Sequence, residues 1–219
     1  MNSRKLTVAT AAVLALALLS VLGYQLVNPT ADIANAGSPD GYAGQPTLGR
    51  ADAPVKMILF EDFLCDHCKA FEAEVFPRIR SEFIDAGQVQ AFYINLAWGS
   101  QNATTAGLAG ECTYKQDEEA FWDYKSALYA AQSDHSGEWA TTANLVNIAR
   151  DSAPTLDADD LRSCIEEERY LTEVQRDLEL GDTVGVSGTP SVIIGNLGYE
   201  GPGYDTVAAA INEQLAQQV

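Results

Sequence analysis

Basic residues are scarce in this chain, in which 13 Lys and Arg stand against 31 Asp and Glu for a formal net charge of -18. A surface of this charge repels nucleic acids and anionic lipid surfaces, because both present negatively charged phosphates. We therefore expect no nucleic-acid partner. With 219 residues and 47% hydrophobic content, the chain has enough apolar side chains for the core of one domain.

Ligands for a metal ion or a haem are also few, although the stretch FEDFLCDHCKAFE places Cys65 and Cys68 with two residues between them. A haem attachment site needs His directly after the second Cys, and this chain has Lys69 there. A structural zinc site takes four ligands, commonly in two close pairs, whereas Cys112 and Cys164 stand alone. We expect neither a metal ion nor a bound cofactor.

The N-terminus carries a long apolar stretch, residues 6–27, which contains no charged residue and follows Arg4 and Lys5. It is long enough to cross the roughly 30 Å hydrocarbon core of a bilayer, and the basic flank is expected to stay in the cytoplasm. We interpret residues 1–28 as an uncleaved signal anchor. The alternative is a signal peptide cleaved after residues 34–36, which would give a secreted or periplasmic protein. Both hypotheses place the body of the chain outside the cytoplasm.

The sequence between this stretch and the folded body is rich in Pro, Gly, Ala, Asn and Asp, and it predicts a linker over residues 29–47. The body, residues 48–219, begins with an apolar run that predicts a buried strand ending at Cys65. The three- and four-residue spacing of apolar residues up to Phe83 then predicts a helix, bent at Pro77.

A second strand is predicted over residues 88–98, so that strand, helix and strand form a right-handed parallel βαβ unit. Residues 103–180 are helical in character, and Asp157 is expected to cap a helix that ends at Gly181. Two strands and a final helix follow. The predicted fold is therefore α/β, with a helical segment inserted into a single sheet domain.

The placement of the two neighbouring cysteines favours redox chemistry over a structural bridge, which would close a very short loop and stabilise little. At the N-terminus of a helix, Cys65 is close to free backbone N–H groups, which favour its thiolate and make it the expected nucleophile. Cys68, one turn later and facing the core, is the expected resolving thiol. His67 is expected to favour the thiolate, and the carboxylate of Asp66 to oppose it.

A second motif, GTP, lies more than a hundred residues further along, where Pro190 opens an apolar strand. Proline is tolerated at the first position of a strand, whereas in the middle of a central strand it would remove a hydrogen bond. From the residues alone, the Thr189–Pro190 bond has the roughly 5% chance of being cis that applies to any X–Pro bond in a folded protein.

Together, CDHC after a buried strand, the run DAPVKMILFEDF, a helical block and GVSGTPSVIIG before a closing helix resemble the DsbA-like thiol-disulfide oxidoreductases of the thioredoxin superfamily. The resemblance covers the chain from about Leu48 to its end. It implies a thioredoxin fold with an inserted helical domain and a cis Thr189–Pro190 bond beside the active disulfide. The backbone of Thr189 would pair with a client chain by β-augmentation.

The resemblance also implies partners: exported proteins with free thiols as clients, and a membrane redox partner that recycles the pair.

Two departures from the family pattern bear on the chemistry. Many relatives have Pro where this chain has Asp66, and many carry a buried acid six residues before the first Cys, where this chain has Leu59. Two other acids, Glu61 and Asp62, follow Leu59 closely in the sequence.

Some extracytoplasmic relatives have a second disulfide in the helical domain, and Cys112 and Cys164 both fall in the helical segment here. A bridge between them would stabilise the fold by roughly 4 kcal/mol in the loop-entropy model. The alternatives are two buried free thiols, or a pair with a resolving or regulatory role.

These observations predict an extracytoplasmic, membrane-anchored oxidoreductase that forms disulfide bonds in exported proteins through Cys65 and Cys68. Two other hypotheses are compatible with the residues. One is a reductase or isomerase of the same fold, and the other is a membrane-tethered binding module whose cysteine pair has no catalytic role.

Overall fold

The computed structural model of the protein describes residues 39–133 and 136–218. Within this part the chain forms a five-stranded sheet with the strand order β1-β3-β2-β4-β5. Strands β2 and β3 are parallel, and the other neighbouring pairs are antiparallel. The strands are β1 Thr47–Leu48, β2 Val55–Glu61, β3 Val89–Asn95, β4 Ser191–Ile194 and β5 Leu197–Glu200.

The two parallel strands lie at the centre of the sheet, and alternate side chains of β2 face two different apolar clusters. Met57 and Leu59 belong to the larger cluster, which includes the helix after Cys65. Ile58 and Phe60 belong to a smaller cluster on the opposite face, with Ile94 of β3. This burial on both faces explains why the strand is apolar without polar alternation.

The helix after Cys65 is bent, as the position of Pro77 predicts. It consists of α1 Asp66–Glu74, α2 Phe76–Ile79 and a π-helical turn over Arg80–Ile84. Val75, between the first two pieces, keeps right-handed helical angles, with φ -107° and ψ -56°. The chain therefore changes direction there without leaving the helical region.

The inserted helical segment lies between β3 and β4, as predicted, and contains five helices: α3 Gln101–Gln116, α4 Glu118–Ala131, α5 Thr142–Ser152, α6 Ala158–Glu166 and α7 Leu171–Val184. Four of them begin at a side-chain cap, and the Asp157 carboxylate accepts the N–H groups of Asp159 and Asp160 as expected. The closing helix, α8, spans Tyr204–Ala216.

The prediction of one helix from Asp157 to Gly181 was wrong. The chain leaves the helix after Glu166, and Glu168 has a positive φ of 51° before α7 begins. The second helix ends at Gly185, which has the left-handed φ of 76° that favours glycine at this position. Gly181 lies inside α7 and does not end it. A glycine is needed at this position because a Cβ atom there would be 2.8 Å from the side chain of Leu96.

The folded body starts earlier than the predicted boundary at residue 48. Residues Pro39–Tyr42 form a 3-10 helix, and the Tyr42 ring is buried against Phe60 and Phe92 at centroid distances of 6.3 and 6.0 Å. Residues 43–46 lead into β1. The Pro- and Gly-rich composition that indicated a linker thus belongs in part to a packed turn before the first strand.

The predicted signal anchor, residues 1–28, and the first part of the predicted linker lie outside the described residues. Among the helices of residues 39–133 and 136–218, none has both the length and the apolar character needed to span a bilayer.

A disulfide joins Cys112 of α3 to Cys164 of α6, with the two Cα atoms 6.0 Å apart. Both cysteines are buried in the helical segment. The bridge connects residues 52 positions apart, so that it ties together two helices that are distant in sequence.

Candidate active site

Cys65 and Cys68 lie where β2 passes into α1, at the edge of the sheet formed by the carboxyl ends of the two parallel strands. Cys65 is the N-cap residue of α1, with extended backbone angles and a half-buried side chain. Cys68 follows in the first turn and is fully buried. Both are free thiols in this structure.

The register of the sheet brings the GTP motif to the cysteines. Ser191 at the start of β4 pairs with Phe60 of β2, so the residues just before it lie beside the end of β2. The Thr189–Pro190 peptide bond is cis. The Cys65 sulfur lies 3.3 Å from the main-chain carbonyl oxygen of Thr189, to which Cys65 donates a hydrogen bond in its protonated form.

The surroundings of the two thiols give them very different pKa values. Hydrogen bonds from the Cys68 thiol, from the Thr189 side chain and from the backbone N–H groups of Cys68 and His67 lower the pKa of Cys65 to about 5, against the opposing effect of partial burial. Burial raises the pKa of Cys68 far above its ordinary value, and the Cys65 thiol and the charge of Glu61 raise it further. Near neutral pH, Cys65 is therefore the thiolate and Cys68 the thiol.

The two residues between the cysteines point to solvent. Asp66 and His67 are both exposed, and the backbone N–H of His67 is one of the groups that lower the pKa of Cys65. The His67 side chain lines a cavity beside the cysteines together with Thr189 and Pro190.

The position predicted to lack the family's buried acid is occupied by Leu59, but an acid lies two residues further along the same face of β2. Glu61 is fully buried, and its carboxylate lies 3.2 Å from the Nζ atom of Lys125, which is also fully buried on α4. Because side chains in a strand alternate between faces, positions 59 and 61 both face α1.

Lys125 also holds a second acid, Glu72 of α1, at 2.5 Å, and Glu72 accepts a further hydrogen bond from Ser126 at 2.6 Å. The 3.2 Å contact between Lys125 and Glu61 is at ion-pair distance but lacks hydrogen-bond angles, so that within the described chain neither Glu61 oxygen accepts a hydrogen bond. Burial and the charge of Glu72 raise the pKa of Glu61 to about 7, in opposition to Lys125.

Asp62 has a different position from Glu61 and shapes the turn that leads to Cys65. Its carboxylate accepts the N–H groups of Leu64 at 2.8 Å and Trp98 at 3.3 Å. Its own N–H points to the Cys68 sulfur at 3.5 Å. Burial raises the pKa of Asp62 to about 6, against the opposing effect of these two N–H groups.

In the described part of the chain, no three or more His, Cys, Asp or Glu side chains are grouped so that they could hold a metal ion. The chemistry that the arrangement can perform with its own atoms is thiol-disulfide exchange, since it combines an accessible low-pKa thiol with a buried thiol one turn away.

Comparison with known proteins agrees with this chemistry. A family model described as Thioredoxin matches residues 42–213. The chain is 32% identical to the probable disulfide bond formation protein D of Bacillus anthracis, over 98% of this chain and 99% of that protein. It belongs to the DsbA-like thiol-disulfide oxidoreductases of the thioredoxin superfamily. The resemblance inferred from the sequence motifs is thereby confirmed.

Solved structures of this family superimpose on the chain. Oxidised BdbD from Bacillus subtilis gives a TM-score of 0.76 at 29% identity, over 82% of this chain and 96% of that chain. DsbA from Chlamydia trachomatis gives a TM-score of 0.75 at 24% identity, over 81% and 94%, and supports the fold alone. The chain is thus a DsbA-like thiol-disulfide oxidoreductase, which excludes the hypothesis of a non-catalytic binding module.

The sequence indicated the cysteines, the GTP loop and Glu61 as a nearby acid, but it did not indicate the buried group that Glu61 forms with Lys125 and Glu72. Lys125, Glu61 and Glu72 each carry a signal that could have revealed them, because each is a charged residue at a position where the pattern expects an apolar one. Glu61 continues an apolar strand, Glu72 lies four residues after Cys68, and Lys125 lies three residues after Trp122.

Proposed function

We propose that this chain introduces disulfide bonds into exported proteins, with Cys65 as the nucleophile and leaving group and Cys68 as the resolving thiol. The observation that carries the proposal is the lowered pKa of Cys65, whose sulfur lies 3.3 Å from the carbonyl oxygen of Thr189 in the GTP loop. A stabilised thiolate lowers the free energy of the reduced pair, which makes the oxidised pair a stronger oxidant. The names of the relatives as disulfide bond formation proteins support the same direction.

The proposed cycle starts from the Cys65–Cys68 disulfide. A client thiolate attacks the Cys65 sulfur, which forms a mixed disulfide and breaks the Cys65–Cys68 bond. A second client thiolate then attacks the client sulfur of the mixed disulfide and expels Cys65, a good leaving group because of its low pKa. The client loses two electrons, and the pair gains them. A partner protein carrying a disulfide must reoxidise the pair, and we propose a membrane protein for this role.

The Cys68 sulfur needs a proton when it leaves, because its buried thiolate is unfavourable. We propose that Glu61 supplies this proton and takes it back during reoxidation. Two buried carboxylates share one buried ammonium in the group formed by Glu61, Glu72 and Lys125, so that one proton on Glu61 balances the charge. This would restore the function of the acid that Leu59 replaces.

The Glu61→Gln variant should slow reduction of the Cys65–Cys68 disulfide by about a hundredfold, which is the low end of the range of rate losses when a general acid is removed. With a substrate thiol that stays ionised above pH 6, the wild-type rate should fall as the pH rises through about 7, where Glu61 loses its proton. The variant should lose this dependence in stopped-flow measurements across pH 6–9. A variant that is slower but keeps the pH profile would contradict a proton-transfer role.

The direction of electron flow can be measured by equilibrating the full-length chain with glutathione buffers and trapping the free thiols for mass spectrometry. We expect half-reduction at about -120 mV, the value of a strong disulfide donor. A value at or below about -270 mV, typical of thioredoxin, would favour the reductase hypothesis, and a value near -180 mV would call for an assay of disulfide isomerisation.

We propose that residues 6–27 anchor the protein in the cell membrane with the catalytic body outside the cytoplasm. The proposal rests on the uncharged apolar stretch behind Arg4 and Lys5. After an alkaline carbonate wash, the protein should stay in the membrane fraction with residues 1–28 intact by mass spectrometry. A soluble form that begins shortly after residue 36 would instead support a cleaved signal peptide.

A further inference from the structure

The cavity beside Cys65 has a charge distribution that bears on which clients the protein accepts. It measures about 440 Å3 and lies between α1 and the loop that follows β5, with Thr189 and Pro190 between them. Its apolar surface comes from Ala70 and Phe71 of α1, from Val75 directly after α1, and from Pro190 and Pro202. Thr189 lines this cavity, and its carbonyl oxygen lies 3.3 Å from the Cys65 sulfur, so that a client joined to Cys65 has room for its neighbouring residues there.

Each wall of the cavity carries a carboxylate. Glu74, at the end of α1, lies on one wall and Glu200, at the end of β5, on the other, and both are exposed. The described residues that line the cavity include no lysine or arginine, and His67 is the one basic side chain among them. A cationic side chain of a client would therefore find two carboxylates there and no lysine or arginine to oppose it.

The Glu200 carboxylate, although exposed, has a defined position beside the GTP loop. It accepts a hydrogen bond from the Ser187 hydroxyl at 3.0 Å. It also lies directly against Gly188, where a Cβ atom would be 2.5 Å from a Glu200 oxygen. The glycine of the GTP motif thus leaves the space that this carboxylate occupies, next to the residue whose carbonyl contacts Cys65.

We propose that this cavity selects client segments that carry lysine or arginine beside the reacting cysteine, with Glu74 and Glu200 as the residues that determine this preference. The inference rests on the proposed disulfide transfer through Cys65 and adds the chemistry of the preferred client. The overall charge of -18 also attracts cationic clients, but it acts over the whole surface, whereas the two cavity carboxylates act on the bound segment.

The test uses two synthetic dithiol peptides that differ only in the residues flanking the reacting cysteine, lysines in one and glutamates in the other. The oxidised full-length chain takes two electrons from each peptide, whose two thiols become a disulfide while Cys65 and Cys68 are reduced. We expect the lysine peptide to react about tenfold faster at low ionic strength, and the ratio to shrink at high salt. Each rate is measured by quenching and mass spectrometry.

The variant E74Q/E200Q should reduce this ratio to about threefold or less, the part that the net charge of the chain supplies. The matched control E179Q/E213Q removes two exposed carboxylates outside the cavity lining and should keep the wild-type ratio. Equal reactivity of the two peptides with the wild type, or the same ratio in both double variants, would overturn the proposal.

A small uncharged dithiol, dithiothreitol, separates this proposal from the proposed function. If dithiothreitol reduces the Cys65–Cys68 disulfide of the wild type but the two peptides react equally, the client preference is wrong and disulfide transfer stands. If neither dithiothreitol nor the peptides reduce it, the proposed function fails, and the client preference fails with it.

Discussion

Replacing Cys65 with Ser should abolish thiol-disulfide exchange, lowering the rate at least about a thousandfold, to the uncatalysed background. A serine hydroxyl forms no disulfide and is not ionised near neutral pH, whereas hydrogen bonds and the helix N-terminus hold Cys65 as a thiolate. The measurement is the rate at which the oxidised protein converts a reduced model client to its disulfide. Retained exchange in Cys65→Ser would show that another thiol carries the reaction.

Replacing Cys68 with Ser should have a different effect from the loss of Cys65. The Cys65 thiolate of this variant still attacks a small disulfide and releases one thiol, but no internal thiolate displaces the bound half. The protein should therefore accumulate as a mixed disulfide through Cys65, visible as a mass increase and reversed by dithiothreitol. Cys68 is fully buried, which explains why it reacts with Cys65 and not with an external thiol.

The structural disulfide provides the matched control for both variants. The double variant Cys112→Ala/Cys164→Ala removes the same type of side chain from the helical segment, at a distance in sequence from the CDHC motif. It should keep exchange through Cys65 while losing stability. A loss of exchange in this folded variant would show that the second pair takes part in the electron transfer.

The central part of the fold could be predicted because local periodicity determines it. The apolar run before Cys65, the bent helix at Pro77 and the strand after it each follow from the spacing of apolar residues, and all three are in the structure. The break between α6 and α7 could not be found in this way, because Glu168 adopts its positive φ without a glycine to signal it. Burial of Tyr42 was missed because its partners, Phe60 and Phe92, are in distant strands.

The candidate site could be predicted in part for the same reason. The position of Cys65 follows from a strand that ends and a helix that begins, which is local information. Lys125 reaches the site because α4 packs on α1, and no local pattern specifies that contact. The three buried charges nevertheless break the apolar pattern at positions that face the core, and a charge at such a position usually has an opposite charge as its partner.

Replacing Lys125 with Met should have the largest effect on stability, lowering the free energy of unfolding by about 3–5 kcal/mol near pH 8. The substitution leaves Glu61 and Glu72 buried beside each other without the ammonium that both contact. The variant K125M/E61Q/E72Q should recover most of this loss, because removing all three charges leaves no unpaired carboxylate. Denaturant unfolding measures all of these differences. The control is R162M, which breaks the exposed pair Arg162–Glu166 and should change the free energy of unfolding by less than about 1 kcal/mol.

The pH dependence of the K125M variant distinguishes this electrostatic cause from lost packing. Without Lys125, the pKa of Glu61 in the folded protein rises further above its value in the unfolded chain, so that the folded state binds more protons than the unfolded state above about pH 4.5. Stability then falls as the pH rises through this range, and the deficit relative to the wild type should narrow as the pH is lowered from 8 toward 5. An equal deficit at both pH values would assign the loss of stability to the cavity left by the lysine side chain. It would also count against the argument that one proton on Glu61 balances the charges of Glu61, Glu72 and Lys125.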